Sequence, residues 1–175
     1  MPEPNRLSQP ESLHDLLLYR TNRMVGLAGS LVIRLCEGRF GITRREWALM
    51  ALLAPAEGQL SSELAGRAQL DRARTSKAVT SLVAKGLVAR QSRPSDRRQA
   101  LLTLTAEGRG LYEAMFPLVC DLNRGLMQDL SPDEIALLDR MLDTMHRRAE
   151  AMVSGASALP RADRRRGGRF PRKAA

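Results

Sequence analysis

The chain has 175 residues, enough for one compact domain, or for one small domain with extended helical additions. Aromatic residues make up only 3%, and the abundance of Leu, Ala, Met and Arg favours helices over a β-sandwich or barrel. A formal net charge of +9 points to a polyanionic partner, and just two distant cysteines, Cys36 and Cys120, exclude a disulfide framework.

No apolar run reaches membrane-spanning length, and the segment from Met1 to Arg6 lacks a signal-peptide layout. The expectation is a cytoplasmic protein with no membrane partner. The charge is uneven. From Arg161 onward seven basic residues face Asp163 alone, which accounts for +6 of the +9. From Leu60 to Gln99 nine basic residues still face only Glu63, Asp71 and Asp96. The basic signal therefore survives removal of the tail.

Residues 1–10 carry three prolines and are expected to form a flexible N-terminus. From Leu13 to about Leu35 apolar residues recur at helical spacing, with Arg20 inside the stripe, and Gly38 and Gly41 mark the end. Thr43, with Glu46 three residues later, forms a capping-box pattern for a helix from Arg44 to about Ala54. Ser61 or Ser62 is expected to cap a short helix through Ala68, with Leu64 and Ala65 inward.

Asp71 caps a helix over Arg72 to Lys85, and Gly86 stops it. Val79, Leu82 and Val83 read as its inward stripe, leaving Arg74, Lys77, Ala78 and Ser81 outward. The period then changes. Leu87 to Arg90 and Ala100 to Leu104 read as strands around a polar turn, Ser92 to Arg98.

Thr105 caps a long helix to about Leu130, bent at Pro117. Ser131-Pro132-Asp133-Glu134 opens a last helix whose apolar residues, Ile135, Leu138, Leu142, Met145, Ala149 and Met152, form a coiled-coil-like seam. The Arg-rich tail over 156–175 is expected to be disordered.

Two short helices joined by a tight turn, the second basic and followed by a basic hairpin, suit double-stranded DNA. The segment from Ser61 to Thr105 thus reads as a winged helix-turn-helix. Arg74 could reach a guanine edge in the major groove, and Arg72, Ser76 and Lys77 phosphates or neighbouring bases. At the hairpin tip Arg93, Arg97 and Arg98 suit a narrow minor groove, with Asp96 orienting a neighbouring arginine. The bland alternative, solvated surface charge, explains any one of these features but not their order.

The run Leu64-Ala65, Leu70-Asp71-Arg72-Ala73, Ser76-Lys77-Ala78-Val79 and Lys85-Gly86-Leu87-Val88, followed by Pro94-Ser95-Asp96-Arg97-Arg98 and Leu102-Thr103-Leu104-Thr105-Ala106-Glu107-Gly108, resembles the MarR family of bacterial regulators. The resemblance covers roughly residues 13–152. It implies a mainly α fold with a small β-hairpin wing: a DNA-binding domain over 43–104, and a helical dimerisation region over 11–38 and 105–155. It also implies a nucleoid-associated homodimer on a pseudo-palindromic operator, usually a repressor, released by a small ligand or an oxidant. Residues 72–77, including Ala73, would form the reading head, and Asp96 with Arg97 or Arg98 the wing's functional pair.

Members of that family often bind small aromatic carboxylates, which need a cation and a flat wall. Arg20 is the candidate cation, with His14, Tyr19 and Arg23 on the same helix; Trp47, beside Arg44 and Arg45, is the candidate wall. The structural alternative weighs more: Trp47 as core, and Arg20 paired with an acid such as Asp139 or Asp143. A redox sensor using Cys36 or Cys120 and a non-specific chromosome-binding protein using the tail are the other readings. With two histidines, no metal-ligand cluster, no glycine-rich phosphate loop and no nucleophile elbow, neither an enzyme nor a cofactor is expected.

Overall fold

The computed structural model describes residues 5–55, 58–68, 70–93 and 96–155, and of residues 92–93 and 96–99 the backbone alone. Residues 1–4 of the expected flexible N-terminus, and the Arg-rich tail over 156–175, lie outside the described residues. The chain divides into two compact units, Met1–Leu126 and Met127–Ala175.

In the first unit a single 3-10 turn at Leu13–Asp15 precedes α1, Leu17–Arg39. The helix expected from Leu13 starts later because the Asp15 carboxylate accepts the Ser12 N–H (2.9 Å) and hydroxyl (2.7 Å), closing a local turn instead. Gly41, at φ +62°, turns the chain out of α1, a conformation costly for residues with a Cβ. Next, α2 (Arg44–Leu53) begins as its sequence predicts. Thr43 Oγ1 accepts the Glu46 N–H at 3.2 Å, and Glu46 Oε2 accepts the Thr43 N–H at 2.6 Å.

A two-residue strand, β1 (Gln59–Leu60), leads directly into α3, Ser61–Arg67. Neither Ser61 nor Ser62 caps this helix. Pairing of β1 holds the backbone extended through Leu60, which therefore takes the cap position, and its N–H donates to Glu63 Oε2 at 3.0 Å. Then α4 spans Arg72–Ala84, and Gly86 at φ +71° ends it.

Strands β2 (Val88–Arg93) and β3 (Asp96–Leu104) form an antiparallel hairpin, and β1 joins the other edge of β3, giving the order β1-β3-β2. The pairing runs from Val88↔Leu104 to Arg93↔Asp96, with an irregularity at Ser92/Arg93. The wing strands are therefore longer than the apolar pattern implies. Ladder hydrogen bonds are made by the backbone and continue through a polar stretch of sequence, which carries no apolar alternation to signal a strand.

Helix α5, Ala106–Leu126, contains Pro117 without interruption and stops short of the expected Leu130, whose N–H closes a turn onto the Met127 carbonyl. The core of this unit gathers Cys36, Trp47 and Met50 with Leu64, Leu82, Leu102 and Met115. It joins α2, α3, α4 and the sheet to the C-terminal end of α1 and to α5. Trp47 stacks on Tyr112 (centroids 5.6 Å apart), which stacks on Phe116 (5.3 Å).

In the second unit α6 spans Pro132–Ser154, capped by Ser131 with Glu134 completing the box. Its apolar residues Leu137, Leu138, Met141, Leu142 and Met145 are all exposed. No helix among the described residues is long and apolar enough to cross a membrane.

Candidate nucleic-acid interface

Helix α4 is divided lengthwise by what it buries. Thr75, Ala78, Val79 and Leu82 are buried, at i, i+3, i+4 and i+7, one helical stripe. The inward face is thus rotated from the expected one: Ala78 is inside rather than outward, and Val83 is exposed. Counting only large apolar residues missed Thr75, whose hydroxyl donates to the Asp71 carbonyl at 3.0 Å and so is satisfied when buried.

Arg72, Ala73, Arg74, Ser76 and Lys77 all face solvent. Asp71 caps the helix through the Arg74 N–H (2.7 Å), and its second oxygen pairs with Arg74 Nε at 3.1 Å. Both side chains are exposed, so this pair holds Arg74 weakly, on the order of 0–1 kcal/mol. The same guanidinium remains free to form a stronger contact.

The wing follows immediately. The backbone of Arg93 pairs with that of Asp96, so both stand at the hairpin tip, with Arg97 and Arg98 next along β3. Their side chains, and the whole of Pro94 and Ser95, lie outside the described residues. At the wing's base Arg90 Nη2 donates to Thr80 Oγ1 of α4 at 3.2 Å. A small depression there has Ser61, Ser62, Ser76 and Arg90 as its polar lining. The sequence reading passed over Arg90, Ser61 and Ser62, because only the folded sheet brings them beside Ser76.

The far end of α4 is anchored by a buried acid. Glu46, 2% exposed, accepts the Lys85 ammonium at 2.9 Å with the oxygen that also caps α2. Lys85 donates in addition to the Gly41 carbonyl at 2.9 Å. Burial pushes the Glu46 carboxyl up, but bonds from the Ser81 hydroxyl, the Thr43 N–H and Lys85, with the charge of Lys85, outweigh it and hold the pKa below the ordinary 4.5.

A depressed folded-state pKa stabilises the fold above the unfolded value and loses that stabilisation as pH falls through the folded one. The urea midpoint is therefore expected to drop below about pH 4.5. Glu46→Gln should lose roughly 1–3 kcal/mol at neutral pH, because Lys85 keeps a weaker partner, and should flatten the acid limb. A Gln variant with the parent's acid profile would contradict this assignment.

The other group of expected site residues divides. His14, Tyr19, Arg20 and Arg23 line one cavity of about 1130 Å³ between α1 and α5, together with Arg6, and its walls are mostly apolar. The His14 and Tyr19 rings meet edge to face, 5.2 Å apart. Arg45 and Trp47 do not line it. Arg45 is exposed on α2, and Trp47 is in the core, its stacking on Tyr112 leaving 7% exposed. Arg44 comes nearer: its guanidinium lies against Gly29, whose missing Cβ would stand 2.5 Å from Nη1. Glycine in α1 leaves that room.

Residues 40–99 match the sequence model of the MarR family. Over that span, about a third of the chain, the sequence is similar to MarR-family proteins. It is 29% identical over 109 residues to the uncharacterized HTH-type transcriptional regulator YdgJ of Bacillus subtilis (strain 168), covering 62% of this chain and 66% of that protein. The chain thus spans just under two thirds of that relative.

Among solved structures, the transcriptional repressor CouR bound to a 23-mer DNA duplex aligns with a TM-score of 0.70 at 26% identity, over 78% of this chain and 96% of that one. BpsR of Bordetella bronchiseptica, whose DNA binding is regulated by 6-hydroxynicotinic acid, aligns with a TM-score of 0.70 at 21% identity, over 78% and 97%. The latter likeness concerns the fold alone. The mainly helical architecture with a small antiparallel sheet is that of MarR winged-helix regulators.

Within this fold the cysteines stand apart from the solvent-facing α4 surface. Cys36 is fully buried, and burial pushes its thiol pKa up. A redox sensor needs the opposite, a reachable thiolate in electropositive surroundings. Cys120 is half-buried on α5.

Proposed function

We propose that this chain is a homodimeric, DNA-binding transcriptional repressor that reads a pseudo-palindromic operator with α4 and the β2–β3 wing. A small aromatic carboxylate between α1 and α5 releases it. The carrying observation is α4 itself: one stripe buries Thr75, Ala78, Val79 and Leu82, while Arg72, Arg74, Ser76 and Lys77 stand in solvent at the end a major groove would receive. Arg93, Asp96, Arg97 and Arg98 then serve the adjacent minor groove from the wing. DNA in complex with the similar CouR supports this use of the fold.

Dimerisation rests on exposed apolar faces in each unit. On α1 Met24, Leu27 and Leu31 are 48%, 72% and 46% exposed, and on α6 Leu138, Met141 and Leu142 are 36%, 50% and 51% exposed. Continuous apolar stripes of this kind mark interfaces rather than free surface. Residues 11–38 and 105–155 are therefore assigned to dimerisation, and residues 43–104 to DNA.

The effector assignment rests on the cavity. Three arginines, Arg6, Arg20 and Arg23, beside an apolar wall suit an organic acid. Its volume exceeds the roughly 300–1,000 Å³ usual for small-molecule sites, so a second copy can close part of it. Regulation of the similarly folded BpsR by a pyridine carboxylic acid favours that ligand class. To release DNA the acid must bind the DNA-free conformation better, since equal binding shifts nothing.

Footprinting on the chain's own promoter tests the DNA reading. A protected, two-fold repeated site is expected, and truncation near Ser157 should weaken affinity and flatten the salt dependence without moving the site. Equal, footprint-free binding to all DNA would instead make it a non-specific DNA-coating protein. Titrating benzoates and pyridine carboxylates while following Trp47 emission and operator binding tests the effector. Trp47 stacks on Tyr112 of α5, a cavity-forming helix, so both signals should move together and Arg20→Ala should abolish both responses.

A further inference from the structure

Lys85 and Glu46 lie at the opposite end of α4 from the residues proposed to read DNA, and contact with a base does not explain them. The single oxygen Glu46 Oε2 takes hydrogen bonds from Thr43, at the start of α2, and from Lys85, at the end of α4. The Lys85 ammonium takes its second acceptor from Gly41, where α1 turns into α2. Three helix ends thus meet at one ammonium and one buried carboxylate.

From this geometry we infer that Lys85 is a positioning residue for DNA recognition: clamped on Glu46 and the Gly41 carbonyl, it sets the tilt of α4 against the α1–α2 corner. The inference rests on the DNA-reading role proposed for α4.

Helix α4 has 13 residues and so spans about 20 Å. Pivoting it by about 10° at Lys85 moves the Arg72 end by about 3 Å. Base-edge hydrogen bonds fail beyond roughly 3.5 Å, so that motion separates reading from not reading. The apolar stripe on Ala78, Val79 and Leu82 cannot supply the same control. Apolar contact resists withdrawal of the helix but is non-directional, whereas the ammonium bonds to Glu46 and Gly41 are directional. Non-specific binding needs only charge near phosphates and tolerates such tilting.

The test uses the full chain and a duplex that the unsubstituted protein enriches from a random-sequence library. Affinity is measured for that duplex and for a scrambled duplex of equal length across a salt series, alongside urea unfolding. Lys85→Met keeps the aliphatic stem and removes the clamp. The expected result is about ten-fold weaker binding to the selected duplex, less than two-fold change on the scrambled one, and an unchanged salt slope.

Glu46→Gln, which keeps the side-chain shape, should give the same discrimination, and the double variant should be no worse than either single one. Should Lys85→Met fail to fold, Glu46→Gln decides by the same criterion. Equal weakening on both duplexes, with the salt slope lower by about one, would make Lys85 a phosphate contact and overturn the inference. So would lower stability with unchanged affinities, which would make it structural only. Failure of the unsubstituted chain to enrich any sequence would overturn the regulator reading, and this inference with it.

Discussion

Gly108→Ala is expected to destabilise the protein by about 2 kcal/mol or more, although the same change normally favours a helix by up to about 1 kcal/mol. A Cβ at Gly108 would stand 2.0 Å from the Leu87 carbonyl oxygen and 2.9 Å from its carbon. Both obstacles are backbone, so no side chain can swing aside. The Leu87 oxygen also accepts the Thr105 N–H at 3.2 Å.

Thr105 ties the same junction twice more. Its hydroxyl donates to the Gly86 carbonyl at 2.7 Å and accepts the Gly108 N–H at 3.0 Å. Moving α5 outward to admit a methyl group would therefore loosen all three bonds where the wing begins. Gly110→Ala is the control, because nothing lies within 4 Å of its Cβ site in the same helix. That variant should be neutral or slightly more stable. Urea unfolding of the pair decides: equal midpoints would mean that the close approach at Leu87 is relieved at no cost.

Arg74→Ala should weaken binding to the selected duplex by about five- to 150-fold, the 1–3 kcal/mol of a two-bond contact to a base edge. Against that gain stands only the exposed pair with Asp71, on the order of 0–1 kcal/mol, so the guanidinium is better placed on DNA than on its own helix cap. Folding stability should change by no more than about 0.5 kcal/mol, since Asp71 still caps through the backbone N–H of residue 74. Sequence preference should relax at one position in each half-site. Arg72→Ala, on a phosphate, should instead weaken all duplexes similarly and lower the salt slope by about one. If Arg74→Ala showed that uniform loss, Arg74 would belong with the phosphate contacts.

The local punctuation of the chain was legible without any structure. Thr43 with Glu46, Asp71, and Ser131 with Glu134 each close a cap within four residues of chain, so residue type and spacing alone suffice. Gly41 and Gly86 end helices at positive φ for an equally local reason. Order and chemistry then made the basic helix and its hairpin visible, and with them the likeness to MarR regulators.

What depended on distant partners was not legible. β1 consists of Gln59 and Leu60, too short for any pattern, and exists because β3 offers it an edge. That pairing moved the α3 cap to Leu60. Thr75 and Ala78 turned the buried face of α4 because neighbouring helices could accept small side chains there. Trp47 is in the core, the reading its sequence favoured over a ligand wall, but its stacking partner Tyr112 lies far along the chain and left no sign there.

The segment from Ser61 to Thr105 shows the division most clearly. Its sequence by itself determined two helices, a wing and a cluster of positive charge, since these follow from propensity, capping and composition. Only the tertiary structure decided which face of α4 looks outward and what fixes its angle. Lys85, Glu46 and Gly41 meet through contacts across some forty residues of chain, and a directional bond of that reach leaves no periodic trace in the sequence.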